Sequence, residues 1–375
     1  MKTRSTLYTL LCTLMLGMSF TACSDGEEEE VITEPSMPSP AYILNEGGWG
    51  SNNAKISAFY HHLQIGVTTE DVYLERNEKK MGDLANALIE EDYKLYVVMN
   101  GSKYVASMDM NTREGNRYTF SETEGAPRCI DVEKDYAYVT QHGGQVSKFN
   151  IKGMILVDTF KGGDNLEGIV EKDGKLYVAN AWKVDGSGNY QYNDELMVID
   201  AESMTQTGSI KVVENPVTVQ AIGDKIYVIS QGNYSDTPAV LQVIDTEKGT
   251  SKVILKDVTK ITKGLNGLIY GVRSTYDAEW NSVNSFFTYN PETGKVNEAS
   301  FLQDAPSELS STAIYLLKVY PIKKYIYLGT TDYLTTGTIY QFDENGKFIQ
   351  SFDSGGVNPS TMIFTDLKTV SGNYE

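Results

Sequence analysis

The stretch Lys175-Leu176-Tyr177-Val178-Ala179-Asn180 has the pattern of a short buried β-strand, because apolar and β-branched residues end at a polar position where a loop begins. The same phrase recurs along the chain, centred each time on a tyrosine. The seven central residues are Tyr42, Tyr96, Tyr138, Tyr177, Tyr227, Tyr270 and Tyr327. Successive members lie 39 to 57 residues apart. Irregular repeats of roughly 40 to 50 residues, each with room for four short strands, predict the blades of a β-propeller.

Each internal repeat predicts four strands: an inner one such as Leu166–Ile169, the tyrosine-centred second, a third such as Leu196–Asp200, and an outer one. The two chain ends are out of phase. Ala41 begins a second strand, whereas Ser360 to Thr365 form an inner strand with no second strand after it. We therefore predict an all-β, seven-bladed propeller with four antiparallel strands per blade. Pairing of the N- and C-terminal strands closes the ring and hides the sheet edges.

The N-terminus predicts a targeting segment. Lys2 and Arg4 precede an apolar run that is too short to span a bilayer, and the run ends at Ala22-Cys23. Residues 1–22 resemble a bacterial lipoprotein signal peptide, which implies lipidation of Cys23. The alternative is an ordinary secretory signal cut near Ala22.

Residues 23–40 predict an acidic, proline-rich tether that stays extended, and residues 41–375 form the propeller domain. The acidic run after Cys23 resembles the export signal of surface lipoproteins in Bacteroidetes-type bacteria. This resemblance implies an outer-membrane protein that faces the cell exterior and meets the membrane only through its lipid.

Composition excludes some functions. The net charge is −18, and about −20 once Lys2 and Arg4 are removed, so we expect no nucleic-acid partner. Cys129 is the one cysteine of the predicted domain, and we interpret it as a buried core residue. Three histidines, no HExxH helix and no GxSxG elbow give no catalytic residue to name, although a mechanism based on carboxylates alone stays open.

The loops after the second strands predict a binding surface, because they hold all three tryptophans and many tyrosines and amides. In a propeller these loops and those before the inner strands open on one face, and aromatic side chains offer large contact areas there. The predicted ligand-binding residues are Trp49, Asn52, Tyr104, Arg128, His142, Asn180, Trp182, Tyr190, Tyr192, Asn233, Tyr234, Arg273, Tyr276, Trp280 and Tyr333.

Each of these residues also has a structural interpretation. The aromatic rings could pack between neighbouring loops, and Arg128 and Arg273 could pair with a nearby carboxylate instead of a ligand. His142 is interpreted as a hydrogen-bonding loop residue rather than a metal ligand. Asp185 opens a loop similar to the start of a calcium site but without glycine at its sixth position, so we predict no metal.

The phrase Tyr177-Val178-Ala179-Asn180, with Val198-Ile199-Asp200 downstream, resembles the YVTN or YncE-like propellers over nearly all of residues 41–366. The opening Leu44 to Ala54 and the motif Gln231-Gly232-Asn233-Tyr234 resemble Bacteroidetes surface lipoproteins that include the BtuG-type cobalamin-binding proteins. The resemblance implies capture of a corrinoid (cobalamin as ligand, no other cofactor) and its transfer to a TonB-dependent outer-membrane transporter.

The residues themselves leave alternatives open. Aromatic planes interleaved with amides suit a corrinoid and an oligosaccharide equally. A protein- or glycan-binding surface scaffold is a second hypothesis, and a hydrolase or lyase acting on sugars or lactones is a third.

Overall fold

The structure, a computed structural model, describes residues 40–60, 71–279 and 281–365. The predicted signal peptide, Cys23, almost all of the tether and Trp280 lie outside these residues. Within them the chain forms seven antiparallel sheets arranged as the blades of a propeller. Blade 1 combines both ends of the chain and has three strands among the described residues, and each of blades 2 to 7 has four consecutive strands.

Blade 1 contains β1 (Ala41–Asn45), β2 (Lys55–Phe59) and the inner strand β27 (Pro359–Phe364). The inner strands of blades 2 to 7 are β3 (Ala85–Glu91), β7 (Pro127–Glu133), β11 (Asn165–Lys172), β15 (Pro216–Ile222), β19 (Val258–Lys263) and β23 (Ala313–Tyr320). Their second strands are β4 (Lys94–Met99), β8 (Tyr136–Gln141), β12 (Lys175–Val184), β16 (Lys225–Ser230), β20 (Ile269–Tyr276) and β24 (Tyr325–Thr331). Their third strands are β5 (Tyr104–Asp109), β9 (Gln145–Asn150), β13 (Tyr190–Asp200), β17 (Val240–Asp245), β21 (Ser282–Asn290) and β25 (Thr336–Phe342). Their outer strands are β6 (Glu114–Thr119), β10 (Ile155–Lys161), β14 (Thr205–Lys211), β18 (Thr250–Lys256), β22 (Lys295–Asn297) and β26 (Phe348–Val357).

The ring closes between its first and last strands, as predicted. β27 pairs with β1 in antiparallel register, with Ile363 opposite Tyr42. Beyond the ladder, the Asn358 side chain donates to the Gly47 carbonyl oxygen at 2.9 Å. The Thr365 hydroxyl donates to the Pro40 carbonyl oxygen at 2.6 Å. Closure satisfies backbone groups of β1 that an open ring would leave unpaired.

The seven tyrosines of the repeat occupy the second strand of every blade, and none is more than 6 % exposed. Their rings pack between adjacent blades, where the core is divided among neighbouring pairs of sheets. At the seam, the Tyr327 ring meets Phe59 and Phe364, with centroids 6.3 Å and 5.7 Å away. The repeat thus marks the buried interface between blades, which confirms the fold predicted from it.

Two short helices interrupt the strands in the part of the chain that the structure describes. The α-helix α1 (Val72–Asn77) begins after Asp71, whose carboxylate accepts from the Leu74 backbone N–H at 3.1 Å. It buries Tyr73 in the core shared by blades 1 and 2, and a 3-10 helix (Ser307–Ser310) buries Leu309 before blade 7. No helix in the described ranges is long and apolar enough to cross a membrane.

Candidate ligand-binding site

Strand order decides which loops share a face. The loops from second to third strands and the connections from an outer strand to the next inner strand emerge on the same side of an antiparallel propeller. On that side the central channel widens into a cavity of about 570 Å³, called the upper cavity here. Its lining consists of Arg128, Glu167, Trp182, Tyr190, Tyr192, Asn215, Val217, Gln231, Tyr234, Lys260 and Tyr315.

Blade 4 forms one wall with an unusually long hairpin. β12 and β13 have 10 and 11 residues, and their pairing continues to Val184 opposite Tyr190. Asp185 holds the turn, because its carboxylate accepts from the backbone N–H of Ser187 and of Asn189, each at 2.9 Å. The aromatic residues predicted to lie in a loop are therefore carried on extended strands, which hold them more rigidly than a loop would.

The aromatic rings on this wall contact one another. The Trp182 ring lies between His142 and Tyr190, with centroids 5.4 Å and 5.2 Å away. Tyr192 meets Tyr234 of blade 5 edge to face at 5.8 Å. These contacts leave Tyr190 62 % exposed and Tyr234 72 % exposed, so broad ring surfaces still face solvent. A surface of this kind can stack against a flat or sugar-like ligand.

Blade 7 and blade 6 contribute to the opposite wall. Tyr333 packs edge to face on Tyr315, with centroids 6.0 Å apart, and is itself 56 % exposed. Tyr234 and Tyr333 both have positive φ, at 58° and 65°. A left-handed backbone is unfavourable for a residue as bulky as tyrosine, and such strain concentrates at binding sites. Burial raises the pKa of Tyr234 and of Tyr333, and the nearby Tyr276 of blade 6, which is 65 % exposed, adds to that rise.

A charged cluster crosses the cavity between blades 3 and 4. The Arg128 guanidinium donates to one oxygen of Glu167 through Nε at 2.9 Å and through a terminal nitrogen at 2.8 Å. The other oxygen lies 3.0 Å from Nε2 of His142. Burial alone would raise the pKa of Glu167, but the His142 hydrogen bond and the Arg128 charge outweigh it and hold that pKa below its ordinary value.

A second carboxyl group faces the channel from blade 1. Glu46 accepts a hydrogen bond from the Tyr315 hydroxyl and one from the Asn86 amide at 3.1 Å. Burial raises its pKa, and the hydrogen bond from Tyr315 and the charges of Arg128 and Lys260 oppose that rise. Lys260 lies 5.2 Å from the centroid of the Tyr315 ring. The pKa of Glu46 is therefore raised and that of Glu167 is lowered, although both carboxyl groups lie near residues of the same channel.

Several predicted residues do meet at the upper cavity. Arg128, Trp182, Tyr190, Tyr192 and Tyr234 line it directly. Three more reach it through a neighbour: His142 through Trp182 and Glu167, Tyr333 through Tyr315, and Tyr276 by its interaction with Tyr234. Arg128 combines both interpretations, since it lines the cavity and pairs with a carboxylate.

Other predicted residues have structural positions. Tyr104 begins a strand rather than lying in a loop, is 2 % exposed, and donates to the Met81 carbonyl oxygen at 2.7 Å, so it belongs to the core. Asn180 is 4 % exposed and its amide donates to Glu195 at 2.9 Å. Arg273 pairs with Asp257 at 3.1 Å and with Glu298 at 2.7 Å.

Three of the remaining predicted residues, Asn233, Trp49 and Asn52, lie in loops between a second and a third strand. Asn233 stabilises its own loop, since its side-chain oxygen accepts from the backbone N–H of Ser235 and of Thr237 at 3.0 Å. Trp49 is 78 % exposed in the blade 1 loop, where Asn52 adopts a φ of 48°. Trp280 lies outside the described residues. No group of three or more metal-ligating side chains occurs in the described part of the chain.

The sequence prediction missed Glu46, Glu167, Lys260 and Tyr315, all of which line or face the channel. A positional signal could have found two of them. Glu167 and Tyr315 each stand two residues before a buried aliphatic residue of an inner strand, Ile169 and Leu317, and Arg128 stands likewise before Ile130. In all three strands the pairing register shifts at this position, and a β-bulge of this kind can redirect a side chain towards the channel.

No protein-family model matches the chain, and the search of curated proteins gives no match. Solved structures share its fold. It is similar to a chain of Kuenenia stuttgartiensis hydrazine synthase, with 17 % identity, a TM-score of 0.56, and coverage of 72 % of this chain and 85 % of that one. It is also similar to the computationally designed Ika8 protein, with 12 % identity, a TM-score of 0.52, and coverage of 85 % and 90 %.

A third similar structure is that of U3-55K, with 9 % identity, a TM-score of 0.51, and coverage of 72 % of this chain and 81 % of that one. At such identities these comparisons support the propeller fold alone.

Proposed function

We propose that this chain is a ligand-capture protein that binds a large, flat or sugar-like molecule in the upper cavity. The observation that carries the proposal is the aromatic wall around a charged floor. Trp182, Tyr190 and Tyr234 supply ring surfaces, and Arg128 with Glu167 supplies hydrogen-bonding groups beneath them. Ligand sites commonly combine apolar surfaces with a few well-placed polar groups in this way.

The leading ligand class is a corrinoid. A corrinoid is a broad macrocycle rimmed with amides, which suits stacking on aromatic rings and hydrogen bonding to residues such as Asn215 and Gln231 of the lining. The resemblance of the opening motif to cobalamin-binding surface lipoproteins supports this class. A neutral oligosaccharide fits the same chemistry and is the second ligand class.

The setting of this capture is also part of the proposal. Lipidation of Cys23 would tether the propeller to the outer membrane, and the acidic, proline-rich residues after it would hold the domain at the cell exterior. A TonB-dependent transporter is the proposed partner that receives the ligand. Trp49 and Leu334 favour such a partner, because these side chains of neighbouring blades are 78 % and 84 % exposed on the loop face.

Titration of the purified domain with cyanocobalamin tests the proposal, followed by calorimetry and by tryptophan fluorescence. We expect saturable binding to the unmodified domain. Trp182→Ala should weaken binding tenfold or more, because it removes a stacking surface of the kind that dominates binding energy. Tyr93→Ala is the matched control, since Tyr93 is 60 % exposed in the turn between β3 and β4 on the opposite face.

The possible results test the proposed ligand class and the proposed binding site separately. Absence of cyanocobalamin binding at micromolar protein contradicts the corrinoid class, and titration with cellopentaose and maltopentaose then tests the oligosaccharide class. Binding that is unchanged in both Trp182→Ala and Tyr234→Ala contradicts the upper cavity itself.

A further inference from the structure

Below the upper cavity the central channel continues into a smaller chamber of about 170 Å³, called the channel chamber here. Lys260 and Tyr315 line both spaces. Lys318 lines the channel chamber and also the wider opening at the far end of the channel. The two lysines therefore mark the two ends of one space between the inner strands.

The channel chamber is cationic although the protein is strongly acidic. The chain has 50 acidic residues and a net charge of −18, yet the described lining of this chamber includes two lysines and no aspartate or glutamate. The rest of the polar lining consists of hydroxyl and amide side chains, among them Thr218, Thr361 and Gln220. A positive space of this kind inside an acidic protein attracts anions.

The positive charge of Lys318 is less well compensated by nearby negative charge than that of Lys260. Burial lowers the pKa of Lys260, and the Glu46 carboxyl group opposes that shift. Burial also lowers the pKa of Lys318, and no opposing charge acts on it. Within the described residues Lys318 has no ion pair and no side-chain hydrogen bond. The side chain of Lys318 is half-buried, so its unpaired ammonium group can bind an anion that enters the channel chamber.

We propose that the channel chamber is a binding site for a small oxyanion (a phosphate, sulfate or carboxylate group) held between the ammonium groups of Lys260 and Lys318. The volume equals roughly six waters at about 30 Å³ each, which suits one oxyanion with a few retained waters and excludes a corrinoid or an oligosaccharide. Lysine binds such groups as a point charge, and neighbouring hydroxyls donate the remaining hydrogen bonds. The site does not depend on what the upper cavity binds.

The experiment titrates the purified domain with sodium phosphate, sodium sulfate and sodium succinate at constant ionic strength, by calorimetry and by thermal unfolding. We expect one saturable site, and a Tm that rises with ligand concentration as the folded state is occupied. Lys318→Met should weaken binding at least tenfold, because it removes a charged hydrogen bond while keeping the apolar stem. Without added anion this variant should be at least as stable as the parent.

Controls make the result specific. Lys152→Met removes a lysine whose side chain is 79 % exposed, and it should leave the titrations unchanged. If Lys318→Met does not fold, Lys260→Met provides the same test from the other end of the chamber. Tighter binding of phosphate or sulfate assigns the site to a free tetrahedral ion, and tighter binding of succinate assigns it to a carboxylate group. Absence of saturable binding for all three anions, or parental affinity in Lys318→Met, would overturn the proposal.

Discussion

This propeller has two sets of tyrosines, one on the second strands and one at the loop face, and the two sets differ in solvent exposure and in whether they repeat. The seven on the second strands are no more than 6 % exposed and repeat once per blade. Those at the loop face, such as Tyr190, Tyr234 and Tyr333, are 56 to 72 % exposed and follow no repeat. The first set is placed by the packing of one blade on the next. The second set is placed by individual loops and by one elongated hairpin, so it can change without disturbing the ring.

The largest expected effect is a difference in the free energy of unfolding between a variant of a second-strand tyrosine and a variant of a loop-face tyrosine. Tyr327→Ala should lower the free energy of unfolding by about 3 to 5 kcal/mol, because it opens a cavity between Phe59 and Phe364 where the ring of blades closes. Tyr234→Ala should lower it by less than about 1 kcal/mol, as is usual for exposed side chains. Urea unfolding of both variants measures the difference. Similar losses in the two variants would contradict the division into a structural and a binding set.

The structural set could be predicted from the sequence because it obeys a repeat. The second-strand tyrosines and the phase difference between Ala41 and Thr365 were sufficient to predict seven blades and the closing pair of strands, and both predictions are confirmed. A buried position in a repeated unit has the same surroundings in every copy, so its residue type is constrained each time.

The binding set could be predicted only in part. Tyr104 was placed in a loop because it follows a second strand, but the connection after β4 is short and the residue already belongs to β5. Glu167 and Tyr315 were missed because their importance comes from facing the channel, which depends on the geometry of the whole ring. Loop aromatics could be recognised as a class, whereas their contacts across blades, such as Tyr192 with Tyr234, required the structure.

An effect of intermediate size on stability is expected for the ion pair of Arg128 and Glu167 in the upper cavity. Arg128→Met should lower the free energy of unfolding at pH 7 by about 1.5 to 3 kcal/mol, because it leaves the Glu167 carboxylate with His142 as its remaining side-chain partner. In the parent the pKa of Glu167 is lowered, so its contribution to stability is present above the unfolded-state pKa and is lost as pH falls through the lower folded-state value.

In the variant the Arg128 contribution to lowering the pKa of Glu167 is lost, so the pKa of Glu167 should rise and less stability should be lost as pH falls. The difference between parent and variant should therefore narrow steadily from pH 7 towards pH 4, as followed by urea unfolding at each pH. Arg113→Met is a suitable control on an exposed arginine, and its small effect should not depend on pH in this range. A difference that stays constant with pH would show that Arg128 acts through packing rather than through the Glu167 charge.

The smallest expected change in stability concerns the hydroxyl groups of two buried tyrosines. Tyr104 and Tyr227 are both almost fully buried, at 2 % and 0 % exposure. The Tyr104 hydroxyl donates to the Met81 carbonyl oxygen at 2.7 Å, whereas the Tyr227 hydroxyl has no hydrogen-bond partner among the described residues. Tyr104→Phe should lower the free energy of unfolding by about 1 kcal/mol, because one buried hydrogen bond is lost.

Tyr227→Phe should leave stability unchanged or raise it slightly, because it removes a polar atom that burial has stripped of water. The aromatic ring, and with it nearly all of the packing between blades 5 and 6, is retained in this variant. Precise calorimetric unfolding of the two variants side by side is sensitive enough for this comparison. Equal destabilisation by both substitutions would mean that the Tyr227 hydroxyl does find a partner, most simply a bound water, and that the second-strand tyrosines are held by polar contacts as well as by packing.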